Sequence, residues 1–249
     1  MGMVLVAFLV GVLVGGVVNQ LGSVLPARRA LREPHCPYCG RRRQWWQWLG
    51  LAAYLVQQSQ CPSCGASIGI RWALVETGLG LTYGYLWIAL GPSTTLLFTS
   101  LYSAIFALIL VTDIEQRLIL DVVTYPAIVL GLVASFLVPD VAWWRALMGG
   151  TIGFTFFTLA AVVGNVVFGP GTLGGGDIKL AAFVGLVTGF PLVIEAIVLA
   201  ILIGGAVSLV LLITRVRSLT DYIPYGPFLI AGAMITLLWG HSIADWFLP

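Results

Sequence analysis

Apolar residues fall in eight long runs, at about 3–25, 72–90, 93–112, 122–138, 144–168, 178–190, 192–214 and 223–240. Turn-forming residues punctuate them: Gly91-Pro92-Ser93, Pro139-Asp140, Gly169-Pro170-Gly171, Phe190-Pro191 and Pro224-Tyr225-Gly226-Pro227. About 20 residues of helix cross a bilayer. An open sheet cannot satisfy its backbone in lipid, so every run is expected as a helix. The expected fold is therefore all-α, a polytopic membrane bundle of about eight transmembrane helices. The run 178–190 is the shortest. Joining it to 192–214 would carry Arg215 and Arg217 to the opposite side, so the break at Phe190-Pro191 is kept.

Composition agrees with a membrane protein. Charged residues make up 9% of the chain, against about 25% in a soluble domain, and the mean hydropathy is +1.02. A net charge of +2 is too small to argue for nucleic acid as a partner. The N-terminal run has no basic flank and no Ala-x-Ala-like site, so it reads as a retained first span. Seven of the twelve basic residues (Arg28, Arg29, Arg32, Arg41, Arg42, Arg43, Arg71) lie between residues 26 and 71. With that segment in the cytoplasm, Arg117, Lys179, Arg215 and Arg217 also fall inside and only Arg145 outside. Both termini are then non-cytoplasmic. The division expected is 1–25 as a first transmembrane helix, 26–71 as a cytoplasmic domain and 72–249 as a membrane-embedded domain.

All four cysteines lie in the polar segment, as Cys36-Pro-Tyr-Cys39-Gly40 and Cys61-Pro-Ser-Cys64-Gly65. Two such knuckles about twenty residues apart suit a tetrathiolate zinc site. Each glycine permits the backbone to turn its amides toward sulfur. Four thiolates leave no position for water, so the zinc would be structural. Redox pairs or unliganded thiols are the plainer alternatives, and His35 is a bystander. Between the knuckles, basic residues and tryptophans precede a short apolar run, 49–56. It either lies on the inner headgroup region or packs within the small domain.

Of ten acids, Asp140 and Asp245 fall outside, Glu33 and Asp221 in cytoplasmic loops, and Glu76 early in the second span. Glu195 lies near the outer end of the seventh span with no evident role. Asp113, Glu115, Asp121 and Asp177 remain. Asp113 ends the third span and Asp177 begins the sixth, 64 residues later. Two crossings of about twenty residues with their turns return the chain to the same face. Two carboxylates so placed can share a proton, one activating water and the other donating to a scissile carbonyl. That is general acid–base peptide hydrolysis. Gly174, Gly175 and Gly176 would let an extended substrate approach closely. Lys179 either holds Asp177 ionised or snorkels to the interface. The alternatives are a loop with Asp177 as helix N-cap, or a relay acid. The latter would make the chain a proton- or ion-coupled transporter. A third reading is a non-catalytic assembly factor of a secretion platform.

Several stretches resemble a known family. Gly174-Gly175-Gly176-Asp177-Ile178-Lys179 resembles the Gly-x-Gly-Asp motif of the type IV prepilin peptidases, which are membrane aspartyl proteases. Asp113-Ile-Glu-Gln-Arg-Leu-Ile-Leu-Asp121 resembles the motif that carries their other catalytic acid, its closing Asp121 lacking that role. Ile223-Pro224-Tyr225-Gly226-Pro227-Phe228-Leu229 resembles their final cytoplasmic loop. Cys61 to Ile68, Arg71 to Glu76, and Gly16 to Asn19 with Leu25-Pro26 match the second knuckle, the start of the next span and the end of the first helix. Leu120 stands where a proline is usual, Trp72-Ala73 stands for Tyr-Pro, and the inter-knuckle stretch is rich in Trp.

The resemblance implies a bacterial inner-membrane enzyme that removes the leader of prepilins and type II secretion pseudopilins at the cytoplasmic face. It also implies N-methylation of the new terminus from S-adenosylmethionine. Asp113 and Asp177 would be catalytic. Gly174, Gly175, Gly176, Lys179, Asp121, Pro224, Gly226 and Pro227 would support substrate or loop, and Cys36, Cys39, Cys61 and Cys64 would hold zinc.

Overall fold

The computed structural model describes residues 2–27, 36, 39–42, 45–56, 60–67, 69–138, 142–169, 171, 173–214 and 224–247. His35, Glu33, Asp140, Asp221, Ile223, Arg28, Arg29, Arg32, Arg43, Arg215 and Arg217, all given places above, lie outside the described residues, as does the side chain of Asp245. Regular structure among the described residues is helical, apart from isolated bridges such as Gln60 with Ser67. The helices are α1 (Gly2–Val24), α2 (Gly50–Leu55), α3 (Ile70–Leu90), α4 (Thr94–Gln116), α5 (Asp121–Ala134), α6 (Trp143–Phe168), α7 (Gly175–Thr188), α8 (Leu192–Ile213) and α9 (Gly226–Phe247). A short 3-10 turn, Trp45–Trp48, precedes α2.

Each of the eight apolar runs became a helix, and α2 is the extra one. Among the described residues five helices, α1, α3, α4, α6 and α8, are long and apolar enough to cross a membrane. At 1.5 Å per residue the 14 residues of α5 or α7 reach only about 21 Å. The apolar part of α9 is Gly226–Gly240. Large apolar side chains point outward, as at Ile194, Val198, Ile201, Leu202, Leu209 and Val210 of α8. A water-soluble surface avoids contiguous apolar area of that kind.

Two compact units make up the chain, Met1–Val111 and Thr112–Pro249. In the first, α1 lies against α3 through small residues. A Cβ on Gly15 would sit 2.6 Å from the Glu76 Cα, and one on Gly11 would strike the Leu79 backbone. Without a hydrophobic force between helices in lipid, such close backbone approach is what holds them. In the second unit Gly149 of α6 and Gly185 of α7 meet backbone to backbone. Gly232 of α9 sits likewise on Ala196 of α8. The expected break is present: α7 ends at Thr188, Gly189 turns at φ +69°, a cis Phe190–Pro191 bond follows, and α8 begins at Leu192.

Candidate functional site

Asp113 and Asp177 belong to the second unit. α4 delivers Asp113 in its last turn; Arg117, in the left-handed region at φ +56°, then ends the helix with its N–H on the Asp113 carbonyl. Asp177 lies in the first turn of α7. Its N-cap is Gly174, in ordinary extended conformation, so Asp177 occupies the third helical position. That corrects the alternative in which Asp177 itself capped the helix. The Gly174 amide lies against its carboxylate, the reach-back of a capping box.

Both side chains are buried, Asp113 5% and Asp177 4% exposed, and each carboxylate lies in the electrostatic reach of the other. The chain thus returns to its starting place after α5 and α6. The Asp113 Oδ2 atom is buried and has no hydrogen-bond partner among the described residues. The backbone of Gly226 abuts that oxygen, and a Cβ there would overlap it. Tyr225 is a neighbour of Asp177, its ring between Phe157 at 5.5 Å and Phe228 at 6.2 Å. Two close buried carboxylates cannot both ionise cheaply. A proton held between them and an oxygen with a free lone pair are what acid–base chemistry on water needs.

Lys179 forms an ion pair with Asp121, the first residue of α5, and lies 5.0 Å from the Tyr125 ring centroid. It joins the starts of α5 and α7. Among the glycines, Gly176 is confined, since a Cβ would lie 2.8 Å from Ile119, whereas Gly175 faces open space. Pro224 and Pro227 flank the Tyr225-Gly226 pair at the start of α9.

The four cysteines cluster in the first unit, their sulfurs within 4.8 Å of one another. Cys36 and Cys64 sulfurs are 3.5 Å apart, Cys39 and Cys61 sulfurs 3.7 Å. The two knuckles repeat one geometry. The amide of Cys36 donates to the Arg41 carbonyl and that of Cys61 to the Ala66 carbonyl. Gly40 and Gly65, at φ +71° and +70°, donate back to the Cys36 and Cys61 carbonyls. Only glycine adopts that backbone freely. Arg41 donates to Ser63, tying one knuckle to the other. Backbone N–H groups of Ser63 and Cys64 lower the Cys61 thiol. The Ala66 amide lowers Cys64, but burial and its three thiol neighbours push it up to about 12. Four sulfurs this close become thiolates together only around a cation, and the set is placed to bind one.

The model of the type IV leader peptidase family matches residues 100–209, and that of the bacterial peptidase A24 N-terminal domain matches residues 9–90. A prepilin leader peptidase/N-methyltransferase of Pseudomonas aeruginosa is 31% identical over 98% of this chain and 93% of its own length. This chain belongs to the type IV leader peptidase family. Proteins of the same description from Bacillus subtilis and Pseudomonas putida are 25% and 28% identical, over 99% and 95% of the chain and 98% and 91% of their own lengths. No solved structure matches at a significant level.

Within the leader peptidase N-terminal match lies a site that the sequence pattern did not reveal. Glu76 is fully buried. Its Oε1 accepts from the Gly50 amide at 2.8 Å and its Oε2 from the Leu51 amide at 2.7 Å. Asn19 Nδ2 donates to Oε1 at 3.3 Å and to the Trp72 carbonyl at 3.0 Å. Glu76 thus holds the first amides of α2, so the run 49–56 docks on α3. The available signal was that polar residues in apolar spans require partners. Asn19 and Glu76 are such residues, one in each of two packed helices. Glu195 has a partner too: Thr236 of α9 donates to its Oε1 at 3.4 Å.

Proposed function

We propose that this chain is an aspartyl endopeptidase that removes the leader of type IV prepilins and type II secretion pseudopilins, with Asp113 and Asp177 as its catalytic pair. The observation that carries the reading is the unpartnered, buried Asp113 Oδ2 beside Asp177, with a glycine backbone against it. One carboxylate, ionised, takes a proton from water as the oxygen attacks the scissile carbonyl carbon. The other, protonated, gives its proton to the carbonyl oxygen. The tetrahedral species then collapses: the C–N bond breaks, the nitrogen takes a proton, and acid and amine part. No covalent enzyme intermediate forms, and the pair returns to its starting charge.

The proposed organisation has a first helix (1–25), a cytoplasmic cysteine domain (26–71) and a membrane-embedded protease domain (72–249). Eight spans cross the bacterial inner membrane, with both termini non-cytoplasmic and the acids at the cytoplasmic face. α5, α7 and α9 are the helices short of full apolar length, and they begin at Asp121, Gly175 and Gly226, around the acids. A hydrolytic site sunk into the bilayer must admit water, and helices that start at it are shortened on that side. Gly174, Gly175, Gly176, Pro224, Gly226 and Pro227 support the substrate's approach, and Lys179 and Asp121 brace it.

Zinc fits the cysteines. Zn–S bonds of about 2.3 Å around a tetrahedron place sulfurs about 3.8 Å apart, close to the 3.5 and 3.7 Å found. Bound there, zinc supplies structure and no open coordination position. The relatives' name supports N-methylation as a second activity, with S-adenosylmethionine as donor. Among the described residues of the first unit there is no glycine-rich strand-to-helix turn of the kind that cradles a nucleotide.

The test is incubation of the purified protein, in bilayers, with a prepilin. Loss of the leader's mass supports the reading, and intact substrate refutes it. A further gain of one methyl group on the product, dependent on S-adenosylmethionine, reports the second activity.

A further inference from the structure

The two cysteine knuckles hold both ends of the segment between them. Their four sulfurs lie within 4.8 Å of one another, so the chain that leaves after Arg42 comes back to Gln60 near its starting point. The middle of that segment packs on two crossing helices. A Cβ on Gly16 of α1 would lie 2.6 Å from the Leu49 Cδ2 and 3.9 Å from the Trp48 carbonyl oxygen. A Cβ on Gly50 would overlap the Trp72 Cβ of α3. Glu76 of α3 accepts from the Gly50 and Leu51 amides at 2.8 and 2.7 Å.

These contacts lie below the ends of the helices that make them. Gly16 is eight residues before the end of α1 at Val24, about 12 Å along the axis. Glu76 is six residues after the start of α3 at Ile70, about 9 Å. The 21 residues of α3 make about 32 Å, so nearly all of it is needed to cross a hydrocarbon core of about 30 Å. Arg71 donates to the Ser23 Oγ at 3.1 Å, which sets the two helix ends level and marks that level with a charge. A Cβ on Gly15 would sit 2.6 Å from the Glu76 Cα, so Gly16 and Glu76 share a depth. The backbone at Trp48 and Leu49 lies at that depth too, beneath the charged level.

The chemistry of the segment suits hydrocarbon. The first amides of a helix have no acceptor within it. Leu49, at the N-cap of α2, supplies no side-chain acceptor, and Glu76 takes the place that water takes elsewhere. Irregular backbone is tolerated at membrane depth where it is packed on protein, as Trp48 and Leu49 are on Gly16. Trp48, Leu55 and Val56 are 42%, 77% and 55% exposed, and the start of α3 exposes Ile70 and Leu74 as well. We propose that residues 48–56 form a re-entrant segment that dips below the headgroups between the knuckles, with Glu76 holding its first amides. Its partner is the acyl chains of the leaflet in which α1 ends and α3 begins. The knuckles, with exposed Arg41 and Arg42 beside them, stay outside.

The experiment uses the full-length protein in nanodiscs with either of two photoreactive lipids. One carries a diazirine in the middle of an acyl chain, the other on the headgroup. After irradiation and digestion, mass spectrometry locates the adducts. The acyl probe should mark Trp48, Leu55 or Val56 about as strongly as the exposed Leu81 of α3, and the headgroup probe should mark Arg41 and Arg42 in preference to 48–56. Marking of 48–56 by the headgroup probe alone would put the segment at the surface, and marking by neither would pack it away from lipid; either result overturns the proposal. Glu76→Ala should lose the acyl label on 48–56 while Leu81, which reports that α3 still spans, keeps its own. Full acyl label on 48–56 in that variant overturns the part given to Glu76. If Leu81 loses its label as well, the two probes on wild type decide the matter alone.

Discussion

The two units each bury carboxylates in apolar surroundings, and they treat them in opposite ways. Glu76 in the first unit has donors on both oxygens: two backbone amides and an asparagine donate to it. In the second unit Asp113 keeps an oxygen with no donor among the described residues, beside a second acid. Burying a charge without partners costs several kcal/mol, so a fold tolerates it only where something requires it. A carboxylate held on both oxygens by buried amides is fixed in place and serves as a fastener. An unsaturated pair stores a proton and can move it. Burial alone does not separate the two roles; the donor inventory around each oxygen does.

The largest effect should come from the unsaturated pair. Asp113→Asn and Asp177→Asn should each lower leader cleavage about a thousandfold or more, with the melting temperature in detergent unchanged or raised, since two crowded carboxylates become one. Normal processing by either variant would remove the dyad. Glu76→Ala should do the reverse. It strands the Gly50 and Leu51 amides and the Asn19 amide, a loss of about 3 kcal/mol measurable by denaturant titration in bicelles. Protein that remains folded should still cleave. A catalytic loss with full stability would put Glu76 on the wrong side of the contrast.

Serine at Cys36, Cys39, Cys61 or Cys64 should abolish the one metal ion per chain expected by elemental analysis and expose the cysteine segment to proteolysis. A metal-free but protease-resistant wild type would dismiss the metal site. The smallest effect belongs to the exposed Lys179–Asp121 pair. Lys179→Met should slow cleavage severalfold at most, as exposed ion pairs are weak. The double exchange Lys179→Asp with Asp121→Lys should recover part of it, whereas a direct action of Lys179 on Asp177 predicts no recovery.

Helix positions were legible because hydrocarbon leaves the backbone one solution. Each apolar run folded as a helix, and the break at Phe190-Pro191 is where it was expected, although α5 stops at Ala134 and α9 continues to Phe247. The knuckle pattern was legible because metal-ligand spacing is local. Asp113 and Asp177 were paired by counting elements, because one helix away and one helix back, α5 and α6, return the chain to the end it left even though the two differ in length. The shortness of α5 and α7 was less visible, because apolar flanks such as 135–138 look the same inside and outside a helix.

Side-chain partners across the chain were not legible. Lys179 is two residues from Asp177 in sequence yet pairs with Asp121, 58 residues away. Glu76 finds its donors at Gly50 and Leu51, and Asn19 joins it from another helix. Ile119 reads as one more apolar residue until the backbones of Gly176 and Gly226 close on it. Sequence by itself determined where helices form, where the cysteines gather and which acids face one another, because those follow from hydropathy, local spacing and span length. Only the tertiary structure decided which polar atoms are satisfied and which left bare, because that depends on distances between helices that no periodicity along the chain encodes.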